Sequence, residues 1–161
     1  MAYNYSPISI QQPIGYGYLL GLYWMKEAQA LTSPDKVHYY MPAKALLSAC
    51  LAISKYINVV GNKVDPYWKE FNRDTAPIKE RISYIYESLE LPLDFRQAPW
   101  KDVLLLFVLR EELNRYKLTS AYGVNRDTVP AVFRVVALNY PVRMTQAIAE
   151  ETIELLLNIS R

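Results

Sequence analysis

The chain has 161 residues, a length usual for one domain, and 52% of them are hydrophobic, enough for one sizeable core without staples. Eighteen basic against sixteen acidic residues leave a net charge of +2, which excludes the strongly basic balance of a dedicated nucleic-acid binder and gives no DNA-specific signal. Cys50 is the only cysteine. It sits in an apolar stretch and can form neither an internal disulfide nor a Cys-x-x-Cys metal pair, which points to core packing in a reducing compartment. No basic residue precedes Lys26, and no uninterrupted apolar run approaches the roughly 18 residues of a membrane span, so the expectation is a cytoplasmic chain with no membrane segment.

Residues 1–15 carry Pro7, Pro13 and Gly15 without a helical apolar period and predict an extended N-terminal arm; residues 16–161 are expected to form a single helical domain. A first helix is predicted over 16–31 from Leu20, Trp24 and Leu31, ahead of a break at Ser33-Pro34-Asp35. The second begins near Pro42, runs along Leu46, Ala49, Cys50, Ile53, Ile57 and Val60, and is expected to stop at Gly61 in a left-handed conformation. Its wide apolar stripe marks it as central. Asp65-Pro66 predicts a cap and a first-turn proline for a short helix through Trp68 and Phe71, interrupted at Asp74-Thr75.

From Pro77, Ile78, Ile82, Ile85 and Leu89 step by four, three and four, while Lys79, Glu80, Arg81, Glu87 and Glu90 are assigned to other faces, as in an amphipathic surface helix ended by Pro92. Pro99 opens an apolar helix from Trp100 through Leu109 that is expected to be buried before it emerges at Arg110-Glu111-Glu112. A loop is predicted over 117–128. Residues 129–140 combine β-branched residues with a helix-starting Pro130 and are assigned to a helix, with a strand as the alternative. The last helix, from Pro141 to about Ile159, shows Met144, Ile148, Thr152, Leu155 and Ile159 on one face.

The familiar nucleotide-binding and hydrolase motifs are missing: there is no Gly-x-x-x-x-Gly-Lys, Gly-x-Gly-x-x-Gly, His-Glu-x-x-His or Gly-x-Ser-x-Gly. His38 is the single histidine, so any histidine-based chemistry routes through it. Glu150, Glu151 and Glu154 read as a solvated face, and neither a metal nor a cofactor is expected. Fourteen tyrosines and three tryptophans are spread along the chain and not interleaved with basic residues, which favours core and interface use over base stacking.

One constellation stands out. Arg110 and Asn114 are four apart on one helix face, Glu111 and Arg115 likewise, and Lys117 follows. The stretch Leu109-Arg110-Glu111-Glu112-Leu113-Asn114-Arg115-Tyr116-Lys117 resembles the end of the third long helix of HEPN-like helical domains, which reads Leu-Arg-Asn, three variable residues, His, an aromatic and often Lys. The resemblance extends loosely over residues 41–117. It implies an all-α, up-and-down bundle of four or five main helices, a homodimer, and a groove lined by the family arginine and histidine, used in many members for metal-independent RNA cleavage at the 2′-hydroxyl. Arg110 matches the family arginine. Arg115 replaces the histidine and Glu111 the asparagine, so the base for 2′-oxygen attack is missing, and an arginine cannot accept that proton near neutral pH.

The resulting expectation is a non-catalytic HEPN-like module that homodimerises and binds a protein or RNA partner through Arg110, Asn114, Arg115 and Lys117. Two alternatives remain open: a ribonuclease in which Arg110 works with His38 as an atypical base, and a purely structural interaction protein in which Arg110 is only ion-paired.

Overall fold

The computed structural model describes residues 39–116 and 129–161. The arm over 1–15, the helix expected over 16–31, His38, Lys117 and the loop expected over 117–128 lie outside the described residues. Within them the chain is an all-α bundle of five helices: α1 (Tyr40–Val64), α2 (Ile78–Ser88), α3 (Trp100–Leu113), α4 (Ala131–Asn139) and α5 (Val142–Ile159).

The central position expected for α1 is observed, since it packs against each of the other four helices and most extensively against α5. Its stripe of Leu46, Ala49, Cys50, Ile53, Ile57 and Val60 is buried throughout. This helix is long and apolar enough by composition to cross a membrane, but its apolar face forms the middle of the core. Gly61 also differs from expectation: no described glycine has a positive φ, and α1 runs on to Val64, where the Asp65 N–H caps the Gly61 carbonyl. What requires glycine there is Trp68, fully buried, whose indole lies against the position a Cβ would occupy.

The short helix expected after Asp65 is replaced by successive turns. The Asp65 carboxylate does cap, accepting the Tyr67 N–H at 2.9 Å, but Asn72 takes a left-handed conformation that breaks any helix. Arg73–Thr75 then form a single 3₁₀ turn, so Asp74 and Thr75 carry helical structure and do not interrupt it. α2 ends where Glu90 turns left-handed: Leu91 N–H reaches the Tyr86 carbonyl and Glu90 N–H the Glu87 carbonyl, the double bond of a Schellman motif, two residues before Pro92.

α3 is less buried than its apolar run suggests. Trp100, Val103, Leu106, Phe107 and Leu113 are buried, whereas Leu105 and Val108 are 44% and 60% exposed. The run of consecutive apolar residues surrounds the helix, and only one side of it meets α1. Trp100 Nε1–H donates to Tyr86 Oη at 3.0 Å with the rings edge to face, fixing α3 to α2. Residues 129–140 resolve to the helix α4, started after Pro130. On α5 the buried stripe is Thr145, Ile148, Ala149, Thr152, Ile153 and Leu156, rotated from the expected one, and Met144 is exposed.

Candidate functional site: a polar junction between α1, α2 and α3

Two residues interrupt the apolar interior of α1 on one face, four apart: Ser54 and Asn58. The residue that meets them is Arg81 of α2. Sequence reasoning assigned it to a solvent face, but it is only 7% exposed. It stands three residues after Ile78 and four before Ile85, a spacing that puts it on the flank of the same buried stripe.

Arg81 Nη1 donates to Ser54 Oγ at 2.9 Å and to Asn58 Oδ1 at 3.1 Å. Asn58 is itself the centre of a small network, because its Oδ1 also accepts from Trp68 Nε1 at 3.3 Å and its Nδ2 donates to the Asp74 carbonyl at 3.3 Å. One side chain thus ties α1 to α2, to the buried indole and to the 3₁₀ turn.

Arg110 stands on the side of α3 that faces the bundle. At about 100° per residue it lies about 40° from Leu106 and between Leu113 and Phe107, in the middle of the inward face. Its guanidinium sits over the Phe107 ring at 4.8 Å, and Nη2 pairs with Glu111 Oε1 at 2.9 Å. The side chain keeps about a third of its surface open to solvent (32%), while Nε is buried with no hydrogen-bond partner. Arg81 Nε is in the same condition.

The electrostatics connect the two arginines. Burial holds the Arg81 pKa below the ordinary arginine value, the positive charge of Arg110 lowers it further, and Asp74 opposes the shift. No carboxylate comes within ion-pair distance of Arg81 among the described residues. The charge of Arg110 is also felt at Cys50, where burial pushes the thiol up to about 12 against the weaker opposing pull of that cation. Such a thiol is a packing group and not a nucleophile. Native protein at pH 8 is expected to resist alkylation by iodoacetamide and to label fully in denaturant; labelling in native buffer faster than global opening would overturn this. The sign of the shift also dictates that stability declines as pH rises from about 9, where the unfolded thiol ionises and the buried one cannot.

A second aromatic and ionic clip lies beside the junction. Arg73 is stacked on Tyr84 at 3.6 Å with its Nε 3.5 Å from Asp65 Oδ2, which also accepts the Tyr84 hydroxyl at 2.8 Å. The Tyr67 amide first, and then Tyr84, hold the Asp65 carboxyl below its usual range. This clip joins the end of α1 to α2.

Of the site residues singled out from sequence, His38 and Lys117 lie outside the described residues, and Arg110 is held by Phe107 and Glu111. Asn114 is the exposed C-cap of α3, with its N–H on the Arg110 carbonyl, and Arg115 is exposed in the turn that follows. The expected Glu111–Arg115 pair is replaced by Glu111–Arg110. Glu151 and Glu154 are exposed and Glu150 is half-buried. No group of three or more His, Cys, Asp or Glu side chains converges among the described residues. The residues missed were Ser54, Asn58 and Arg81, each visible in the sequence only as a polar interruption at helical spacing within an apolar stripe. No family model matches the chain, and no curated protein or solved structure matches it either.

Proposed function

We propose that the chain is a HEPN-like helical module that homodimerises and binds RNA, without cleaving it, at the Arg110 end of α3. The observation that carries the reading is the state of Arg110. Its guanidinium lies over the Phe107 ring, about a third of the side chain (32%) is open to solvent, and its carboxylate partner among the described residues is the exposed neighbour Glu111. A guanidinium held in this way is suited to grip a backbone phosphate with two donors. Arg115 occupies the position of the family histidine, which leaves phosphate binding but removes the base. The exposed Leu105 and Val108 on the same helix offer an apolar face to a second copy.

Fluorescence anisotropy with a labelled single-stranded RNA tests the reading. Arg110→Ala is expected to weaken binding about tenfold, as loss of one charge-assisted contact implies, and Arg110→Lys to recover part of it. Light scattering should give twice the chain mass for the wild type and a monomer for Val108→Glu. Unchanged RNA affinity in Arg110→Ala, or a wild type without RNA affinity, would sink the reading in favour of a protein partner. Metal-free RNA cleavage lost in both Arg110→Ala and His38→Ala would instead restore the ribonuclease.

A further inference from the structure

We infer that the corner where α4 meets α5 is a docking surface for an anionic lipid bilayer, with Leu138 and Met144 entering the headgroup region and Arg143 contacting lipid phosphates beside them. The corner stands at the start of α3, where Asp102 accepts the Tyr140 hydroxyl, about two helical turns from Arg110. The inference therefore concerns a separate surface and does not rest on the RNA-binding reading.

The argument begins with what the corner exposes. Leu138 is 73% exposed, more than any other large hydrophobic side chain among the described residues, and Val135 and Met144 are exposed beside it in the chain. Exposed apolar side chains gathered in one place mark surfaces that meet a protein or a membrane. The backbone that presents them is held in place. Tyr140 N–H donates to the Val136 carbonyl at 2.8 Å, the Thr145 hydroxyl donates to the Tyr140 carbonyl at 3.4 Å, and Val142 packs on Ala45 of α1. Only Tyr140 and Pro141 join the two helices, and of residues 138–144 all but Tyr140 and Val142 are exposed. The result is a firmly mounted, convex corner with apolar tips.

Charge selects the occupant. Residues 129–149 contain Arg134 and Arg143 and no acidic residue, and residues 39–64 contain Lys44, Lys55 and Lys63 and again no acidic residue. The first turns of α1 meet the corner through Ala45 and Met41, which brings Lys44 to the same end of the bundle. Arg143 is exposed and forms no ion pair among the described residues. The acids of α5 begin at Glu150, more than a turn beyond Met144. Apolar tips among cations are the combination that an anionic bilayer attracts. A stable protein interface needs roughly 1,000 Å² of matched surface, more than three side chains on a convex corner supply. A bilayer requires no matching groove, and each inserted side chain and each cation adds its own contribution. Adsorption of this kind needs no spanning segment.

Cosedimentation of the full chain with vesicles tests the inference, using phosphatidylcholine alone or with about 30% phosphatidylglycerol in about 0.1 M salt. The wild type should bind the mixed vesicles and not the neutral ones, and should be released in about 0.5 M salt. Leu138→Ser combined with Met144→Ser should weaken binding at least about tenfold. Arg143→Gln should weaken it about fivefold, while Lys69→Gln, at an exposed lysine in the turns after α1, should leave it unchanged. Because Leu138 and Met144 are exposed, the double variant should keep the wild-type unfolding midpoint, which separates a lost surface from a lost fold. A wild type that binds neither vesicle, equal binding to neutral vesicles, or undiminished binding by the double variant overturns the inference. A wild type that ignores vesicles while the double variant alters the mass seen by light scattering overturns it in favour of a second copy of the chain. The RNA affinity of the double variant should equal that of the wild type, so failure of either reading leaves the other standing.

Discussion

Gly61→Ala is expected to destabilise the protein by about 3 kcal/mol or more, lowering the unfolding midpoint by roughly 10 °C. Helix propensity alone predicts the opposite sign, because alanine is favoured over glycine by about 1 kcal/mol in a helix interior. Packing decides the outcome here. A Cβ at Gly61 falls within 3.0 Å of Trp68 Cε2, Cδ2 and Cζ2, and the indole cannot retreat, being fully buried and tied by Nε1 to Asn58. Moving the ring breaks that bond, and moving the helix disturbs the face that four others share. Chemical denaturation of Gly61→Ala, Trp68→Leu and the double variant gives the check. The double variant should lose much less than the sum of the two single losses, since the smaller side chain makes room for the methyl. A single Gly61→Ala variant more stable than the wild type would contradict the packing argument outright.

Asn58→Ala is expected to cost about 3 kcal/mol, whereas Arg81→Met, at the other end of the same hydrogen bond, should cost under about 1 kcal/mol or stabilise. The asymmetry follows from what each change strands. Removing the Asn58 side chain leaves the Trp68 indole N–H without its acceptor, the Asp74 carbonyl without a donor, and the Arg81 cation with only Ser54. Removing the Arg81 guanidinium takes away a buried charge whose ionisation the fold already opposes, and Asn58 Oδ1 keeps its bond from Trp68. Urea denaturation at pH 7 compares the two directly. Equal losses would mean that Arg81 contributes to stability like an ordinary hydrogen-bonded residue.

The helices were legible in the sequence because each buries one face. Ile78, Ile82 and Ile85, or Leu46, Ile53 and Ile57, are sufficient for that, and prolines at 42, 77, 99, 130 and 141 mark the starts. The turns of 66–72 were not legible, since Asp65-Pro66 opens a helix and a turn equally well and the left-handed Asn72 leaves no signature stronger than its residue type. Gly61 carried a misleading signal: glycine near a helix end usually marks a left-handed stop, and only the tertiary approach of Trp68 shows the other reason for it. Arg110 was found through a motif, but its inward direction required the position of α1. Arg81 was assigned to water because arginine usually lies there, and its burial depends on Ser54 and Asn58, two residues that a periodicity count treats as defects in a stripe.

The extensive contact between α1 and α5 has a bearing on how the chain acquires its structure during synthesis. These are the first and last of the five helices, so the partner that covers the broadest apolar side of α1 is translated after all the others. A nascent chain that has emerged only through α3 holds an apolar surface intended for Ile148, Ile153 and Leu156. Contacts so distant in sequence close late, and an emerging chain of this kind is an expected client of chaperones that shield apolar helices until α5 has been translated.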